Sequence, residues 1–106
     1  MADHRLDALV YATFDHQPAE IAPDVMTKSV VDDATGVGNN RRLSPIIGFP
    51  AMTVPAGFTS DGLPVGIEFM ARPFAEGTLF KFGYAYEQAS HHRKPPTSTP
   101  ALRGEP

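Results

Sequence analysis

The residues of this sequence that could do chemistry are few and widely spaced. Lys28 and Ser29 stand side by side, and lysine and serine are the residue types of a base-activated hydroxyl nucleophile. Adjacent side chains in a loop do not hold a nucleophile against its base, and nothing next to them supplies an oxyanion hole. We therefore interpret the pair as two loop residues and not as a catalytic dyad.

Metal and cofactor chemistry is equally poorly supported by the sequence. The four histidines are residues 4, 16, 91 and 92, and the adjacent pair would point about 100° apart on a helix, with no carboxylate or cysteine at ligand spacing. Asp32 and Asp33 lack the rest of a calcium-binding loop. There is no cysteine, which excludes thiolate nucleophiles, disulfides and cysteine-based zinc sites. The prediction is a protein without a metal or a cofactor.

Charge and hydropathy restrict the possible partners. The 106 residues carry a net charge of −3, which disfavours binding of nucleic acid through a basic surface. No apolar run approaches the roughly 18 residues that a membrane span needs, and the first ten residues lack the order of a signal peptide. We expect a cytoplasmic protein without nucleic-acid or membrane partners. One domain is predicted over residues 1–96, followed by a Pro-rich, disordered tail over residues 97–106.

The first half of the chain offers one strand and a long polar stretch. Asp7 to Phe14 is a compact apolar run with residues that favour strands, and its apolar side chains fall on both faces. Residues 15–45 are polar and are interrupted by prolines and glycines, which predicts a loop. Residues 22–34 have the composition for at most a short helical turn.

A hairpin with two unequal faces is predicted over Gly48 to Phe74. Asp61-Gly62 marks its turn, where a tight reversal needs positive φ, and Pro55 must lie at an edge, a bulge or a strand end. One face is bulky and carries Met52, Val54, Ala56, Phe58, Val65, Ile67 and Phe69. The other, which we call the open face, carries Ala51, Thr53, Pro55, Gly57, Gly66 and Glu68.

A helix follows, from about Ala75–Thr78 to His91–His92. Leu79, Phe82, Tyr86 and Ala89 recur at helical spacing and predict one apolar stripe, and Phe80 and Tyr84 predict a weaker one. The prolines at 95 and 96 end the helix. Gly83 costs such a helix about 1 kcal/mol relative to alanine, which indicates a close neighbour at that position.

These elements predict an α/β arrangement in which one strand and a β-hairpin are packed by a C-terminal helix. The helix can cover the bulky face, whereas nothing remains to cover the open face or the second face of the first strand. A sheet with an uncovered face tends to bind a partner, through self-association or by docking to another polypeptide. Glu68 is then either an edge-facing charge or the partner of a missing element, and both interpretations stay open.

At this point the sequence resembles a known family. The segments "GFPAMTVPAGF" and "GLPVGIEFMARPF" and the helix ending "AYEQA" resemble the C-terminal part of the amidase signature enzymes, and "DALVYATF" and "NNRRLSP" resemble the family's preceding strand and loop. The resemblance covers about Leu6 to Pro96 and departs at Ala12, where proline is more usual. It implies part of a large α/β fold with one mixed sheet flanked by helices.

The resemblance also implies amide hydrolysis, by a Ser–cis-Ser–Lys triad on a Gly/Ser-rich signature and without a metal or cofactor. This sequence contains no Gly-Gly-Ser-Ser-Gly-type stretch. We therefore expect a C-terminal segment with no catalytic residue and no activity of its own. The loop at Asn39 to Ser44 would help to form the wall of the substrate pocket.

Candidate substrate-binding residues in that wall are Asn40, Arg42 and Ser44, whose side chains could orient an amide or a carboxylate. The competing interpretations are a solvated loop for the Asn39–Arg42 cluster and a turn or cap before Pro45 for Ser44. The function predicted is a sheet and pocket-wall portion of an amidase. The alternative is a small non-catalytic module that self-associates, and a third possibility is a chain that complements a separate polypeptide carrying the triad.

Overall fold

The computed structural model describes residues 1–14, 17 and 40–99. Its elements are the strand β1 (Ala8–Ala12), a 3-10 helix (Asn40–Arg42) that runs into α1 (Leu43–Ile47), the strands β2 (Ala51–Phe58) and β3 (Pro64–Ala71), and the helix α2 (Glu76–Ser90). The short helical turn considered within residues 22–34 lies outside the described residues, as does most of the long loop.

The three strands form one antiparallel sheet in the order β1-β3-β2. The predicted hairpin is confirmed, and the first predicted strand joins it at the outer edge of β3. Its register sets Val10 opposite Phe69 and Tyr11 opposite Glu68. Side chains alternate between the two faces of a sheet, so Val10 lies on the bulky face and Tyr11 on the open face.

The hairpin turn and Pro55 have the predicted geometry. Gly62 takes φ +88°, the left-handed region that its position requires, and the Thr59 N–H donates to the Leu63 carbonyl at 2.8 Å. Pro55 lies on the edge strand β2 and begins a β-bulge, so its missing N–H leaves no gap in the ladder.

The bulge corrects the predicted faces at the end of β2. Pro55 pairs with Gly66, but Gly57 pairs with Val65, so Ala56 is an extra residue and the register shifts by one. Phe58, expected like Val65 on the bulky face, instead pairs with Pro64 and is 44% exposed. The hydrophobic pattern does not predict this bulge, because the shift in register falls on small residues.

Helix α2 covers the bulky face of β2 and β3. Val54, Phe69, Ala71 and Leu79 form the buried core, and Met52, Ile67, Ala75, Phe82 and Tyr86 pack around it. The predicted close neighbour of Gly83 is the Met52 side chain, whose Cε lies so near that a Cβ on Gly83 would clash with it. Ala89 is exposed, so the buried stripe ends at Tyr86, one turn earlier than predicted.

Two boundaries differ from the sequence prediction. Helix α2 ends at Ser90 because His91 takes a left-handed conformation, with φ 51°, and its N–H donates to the Glu87 carbonyl at 3.0 Å. At the other boundary, the long loop does not extend to residue 45, since a 3-10 turn and α1 occupy residues 40–47. Pro45 fits there because the first turn of a helix does not use its N–H groups.

Two surfaces of the sheet and helix are left bare. Val10 is 53% exposed on the bulky face of β1, and the weaker aromatic stripe of α2 is exposed at Phe80 and Tyr84. Among residues 1–14, 17 and 40–99, no helix has the length and apolar character needed to cross a bilayer.

Candidate functional site

The predicted pocket-wall loop is tied to the end of β1. The Asn40 side-chain amide donates to the Ala12 carbonyl at 2.9 Å, which places the 3-10 helix beside the outer strand of the sheet. Arg42, two residues on, is exposed. The structure thus brings two of the three candidate substrate-binding residues to one corner of the sheet.

Ser44 has a structural contact that accounts for its position. Its hydroxyl donates to the Phe49 carbonyl at 2.6 Å, and its own carbonyl accepts the Gly48 N–H at 2.8 Å. Gly48 stands in the left-handed region, with φ 70°, and ends α1 so that the chain can enter β2. A hydroxyl proton given to a backbone carbonyl does not point at a substrate, although the oxygen still accepts hydrogen bonds.

The open face carries a row of polar side chains across all three strands. Glu68 on the central strand is only 7% exposed. The Tyr11 hydroxyl donates to its Oε1 at 2.5 Å from β1, and the Thr53 hydroxyl donates to its Oε2 at 3.3 Å from β2. The Thr13 hydroxyl lies 3.4 Å from that of Thr53. Each carboxylate oxygen therefore has a hydroxyl donor from a neighbouring strand.

Tyr11 is electrostatically coupled to this carboxylate. Burial raises the pKa of the Tyr11 phenol above its ordinary value of 10.0, and the hydrogen bond to Glu68 and the negative charge of that residue raise it further. The phenol therefore keeps its proton and remains a donor throughout the neutral range.

Gly66 makes room for the two threonines of the row. A Cβ at Gly66 would stand 2.8 Å from Thr53 Cγ2 and 2.9 Å from Thr13 Oγ1. At this position the small residue admits side chains of the same chain. Beside it, an open hollow of about 260 Å³ is lined by Thr53, Val54, Pro55, Pro64, Val65 and Gly66.

Comparison with known protein families matches residues 1–80 to the family described as Amidase. The match covers most of the 106 residues. This chain belongs to the amidase family.

Individual relatives agree with the family match. An amidase-family relative, the A subunit of the glutamyl-tRNA(Gln) amidotransferase of Ligilactobacillus salivarius, is 35% identical over 101 residues, which are 91% of this chain and 20% of that protein. Its counterpart from Xanthobacter autotrophicus is 30% identical over 100 residues, 81% of this chain and 20% of that protein. The counterpart from Desulforudis audaxviator is 57% identical over 56 residues, 52% of this chain and 11% of that protein. The chain thus spans a fifth or less of these relatives.

In this amidase-family chain, the residues that sequence reasoning missed are Tyr11, Thr13 and Thr53. They act together only because β1 pairs with β3, and a pairing between residues 57 apart leaves no local pattern. One signal was present. A charged residue on the open face of a predicted central strand has to find hydrogen-bond donors on the flanking strands.

The other residues considered from the sequence are the Lys-Ser pair, the histidines and the paired aspartates. Lys28, Ser29, His16, Asp32 and Asp33 lie outside the described residues. His92 lies against Tyr86, with its Nδ1 3.5 Å from the phenol oxygen. Within the described ranges, 1–14, 17 and 40–99, no three His, Asp or Glu side chains come together as a metal site would require.

Proposed function

We propose that this chain supplies a non-catalytic layer of an amide-hydrolysing enzyme of the amidase family. It contributes three strands, the helix behind them and, through Asn40, Arg42 and Ser44, part of the substrate-pocket wall. The nucleophile comes from amidase polypeptide that packs on the open face. The observation that carries the proposal is the asymmetry of the sheet, in which α2 buries the bulky face while the open face carries a buried carboxylate and a hollow.

The contacts of Ser44 and Lys94 also favour a non-catalytic role. Ser44 donates to a backbone carbonyl, and the Lys94 amine lies over the Phe58 ring, 5.6 Å from its centre. A nucleophilic serine needs a base within hydrogen-bond reach. Neither the Ser44 hydroxyl nor the Lys94 amine has a described contact that would form such a serine–lysine pair. The curated relatives are amidotransferase subunits by name, which supports an amide nitrogen as the reacting group.

Activity of the purified chain is the first test. Ammonia release from simple amides, including glutamine and benzamide, is expected to equal that of buffer over hours at micromolar protein. Turnover of any of these amides that disappears on substitution of one serine of this chain contradicts the proposal.

A chimera tests whether this chain can contribute to an active amidase. The 101 residues of the L. salivarius protein that match this chain are replaced by this chain, and a second protein lacks them altogether. We expect the chimera to release ammonia from amides at a rate comparable to that of the unaltered L. salivarius protein, and the deleted protein to release none. A chimera that unfolds cooperatively but never binds or hydrolyses an amide counts against the pocket-wall role.

A self-associating module is the second candidate, favoured by the exposed side chains of Val10, Phe80 and Tyr84. Contiguous exposed apolar surface is a common feature of protein interfaces. Light scattering distinguishes the two functions. A discrete dimer with one sharp unfolding transition favours the module, whereas a monomer, or a concentration-dependent aggregate without sharp unfolding, favours the amidase layer.

A further inference from the structure

Among the described residues, the carboxylate on the open face has no opposite charge beside it. Glu68 is buried, and its two described donors, Tyr11 and Thr53, are neutral hydroxyls. In the part of the chain that the structure describes, no lysine, arginine or histidine lies within ion-pair distance of it. A carboxylate accepts about four hydrogen bonds, and removing it from water without a counter-ion is costly. Its two described hydrogen bonds occupy two of these positions, and 7% of the residue is still exposed.

The hollow adjoins this carboxylate through Thr53. The Thr53 side chain both lines the hollow and donates to Glu68 Oε2, and Gly66 of the lining lies two residues before Glu68 on the same strand. The rest of the lining is valine, proline and glycine, which suits an aliphatic stem. The hollow is shallow and open to solvent, and its volume of about 260 Å³ is below the roughly 300–1,000 Å³ of small-molecule sites, which suits a side chain of a docking surface.

We propose that the hollow and Glu68 together bind one arginine side chain of the polypeptide that docks on the open face. This inference rests on the docking put forward under Proposed function, and it specifies the chemistry of the partner. The aliphatic stem lies between Pro55 and Pro64, and the guanidinium pairs with the carboxylate. Arginine is favoured over lysine because its planar fork of N–H donors matches the two oxygens of a carboxylate.

The charge of the chain agrees with a cationic partner. Its net charge is −3, so long-range attraction favours a basic element over an acidic one. One of the described cations, Lys94, lies over Phe58 at the turn end of the hairpin, and Pro64, the strand partner of Phe58, is four residues from Glu68. That lysine is therefore engaged elsewhere and does not neutralise Glu68.

The test uses n-butylguanidinium as the probe and n-butylurea as its neutral counterpart. Amide NMR shifts of the full chain are followed at residues 53, 66 and 68 while each probe is added up to about 50 mM. We expect saturable shifts with n-butylguanidinium that weaken with added salt, and no saturable shifts with n-butylurea. Equal responses to both probes, or no response to either, overturn the proposal.

Substitutions in the chain show which residues bind n-butylguanidinium. Glu68→Gln is expected to weaken n-butylguanidinium binding at least tenfold, whereas Glu76→Gln, at the exposed start of α2, leaves it unchanged. If Glu68→Gln does not unfold cooperatively, Pro55→Leu tests the hollow and is expected to block binding with Glu68 intact. If the folded Glu68→Gln variant still binds n-butylguanidinium, the assignment of Glu68 as the guanidinium partner is contradicted. If Glu68→Gln does not fold, binding of n-butylguanidinium by Pro55→Leu contradicts it.

The outcomes separate this inference from the proposed function. If the chimera is active but the isolated chain does not respond to n-butylguanidinium, the arginine proposal is wrong and the proposed amidase role is supported. If the chimera folds but is inactive, while the isolated chain still responds to n-butylguanidinium, the proposed amidase role is wrong and the guanidinium site on the open face is supported.

Discussion

The Tyr11 hydroxyl lies 2.5 Å from Oε1 of Glu68 and joins the outer strand β1 to the central strand β3 on the open face of the sheet. The two residues are direct partners in the strand register, so the side-chain bond adds to the backbone ladder at the same place. Thr53 completes the row from β2. This carboxylate is therefore the point at which all three strands are held together by side chains as well as by backbone.

Removal of the phenol hydroxyl tests the contribution of this bond to stability. Tyr11→Phe leaves one oxygen of a buried carboxylate without its donor, and we expect the free energy of unfolding to fall by about 1–2 kcal/mol. Urea unfolding at neutral pH measures it. The control Tyr84→Phe removes an exposed hydroxyl from α2 and is expected to change the free energy of unfolding by less than about 0.5 kcal/mol. Equal effects of the two substitutions contradict a special role for Tyr11.

The raised pKa of Tyr11 predicts a loss of stability at alkaline pH. In the unfolded chain the phenol loses its proton near the ordinary value of 10.0, whereas in the folded chain it keeps the proton to higher pH. The unfolded state then binds fewer protons, so the free energy of unfolding falls as pH rises above about 10 towards the folded-state pKa. Below pH 10 this contribution is fully present.

The difference between wild type and Tyr11→Phe isolates this effect from the titration of lysines and of the other tyrosines. Urea unfolding at pH values from 8 to 12 is expected to show the two stabilities converging above pH 10. Parallel profiles over the whole range are the result that rules out the linkage.

Much of the fold could be predicted from local pattern, and the candidate site could not. Asp61-Gly62 marked the hairpin, and Leu79, Phe82 and Tyr86 marked the helix and the face it covers, because both signals lie within a few residues. The pairing of Tyr11 with Glu68 depends on which edge of the hairpin β1 joins, and loop closure over more than fifty residues leaves no trace in the local sequence. Helix α1 has five residues and is too short to show a period.

A methyl group at Gly66 is expected to disturb the polar row. Gly66→Ala places a Cβ 2.8 Å from Thr53 Cγ2 and 2.9 Å from Thr13 Oγ1, so both side chains must move. Overpacking of this kind costs about 1–3 kcal/mol of the free energy of unfolding. Adding Thr53→Ser removes the clashing Cγ2 but keeps the hydroxyl, and the double variant should recover part of the loss. No recovery in denaturant unfolding would show that the threonine methyl is not the obstacle.

Gly83 tests the contact between α2 and the bulky face. Gly83→Leu brings a large side chain onto Met52 Cε, which a Cβ at this position already meets, and onto Val54 Cγ1, which lies 3.4 Å from that Cβ. The helix must move away from the sheet, and we expect a loss of about 1–3 kcal/mol in the free energy of unfolding despite the better helix propensity of leucine. In the matched control Gly77→Leu, the new Cβ has no atom within 4 Å, and stability is expected to stay equal or rise. Thermal unfolding of the two variants gives the comparison, and a more stable Gly83→Leu variant would contradict the packing.

Asn40 provides the test of how the pocket-wall loop is held. Its side-chain amide donates to the Ala12 carbonyl at 2.9 Å, so Asn40→Ala loses one hydrogen bond at a partly hydrated site and is expected to cost about 0.5–1 kcal/mol. Asn40→Asp replaces the donor by a charged oxygen that faces the carbonyl, and its cost should be larger. Hydrogen exchange of the amides in residues 40–48 should rise in the same order, since the loop loses its attachment to β1. Equal effects of alanine and aspartate would mean that the amide donor does not hold the loop.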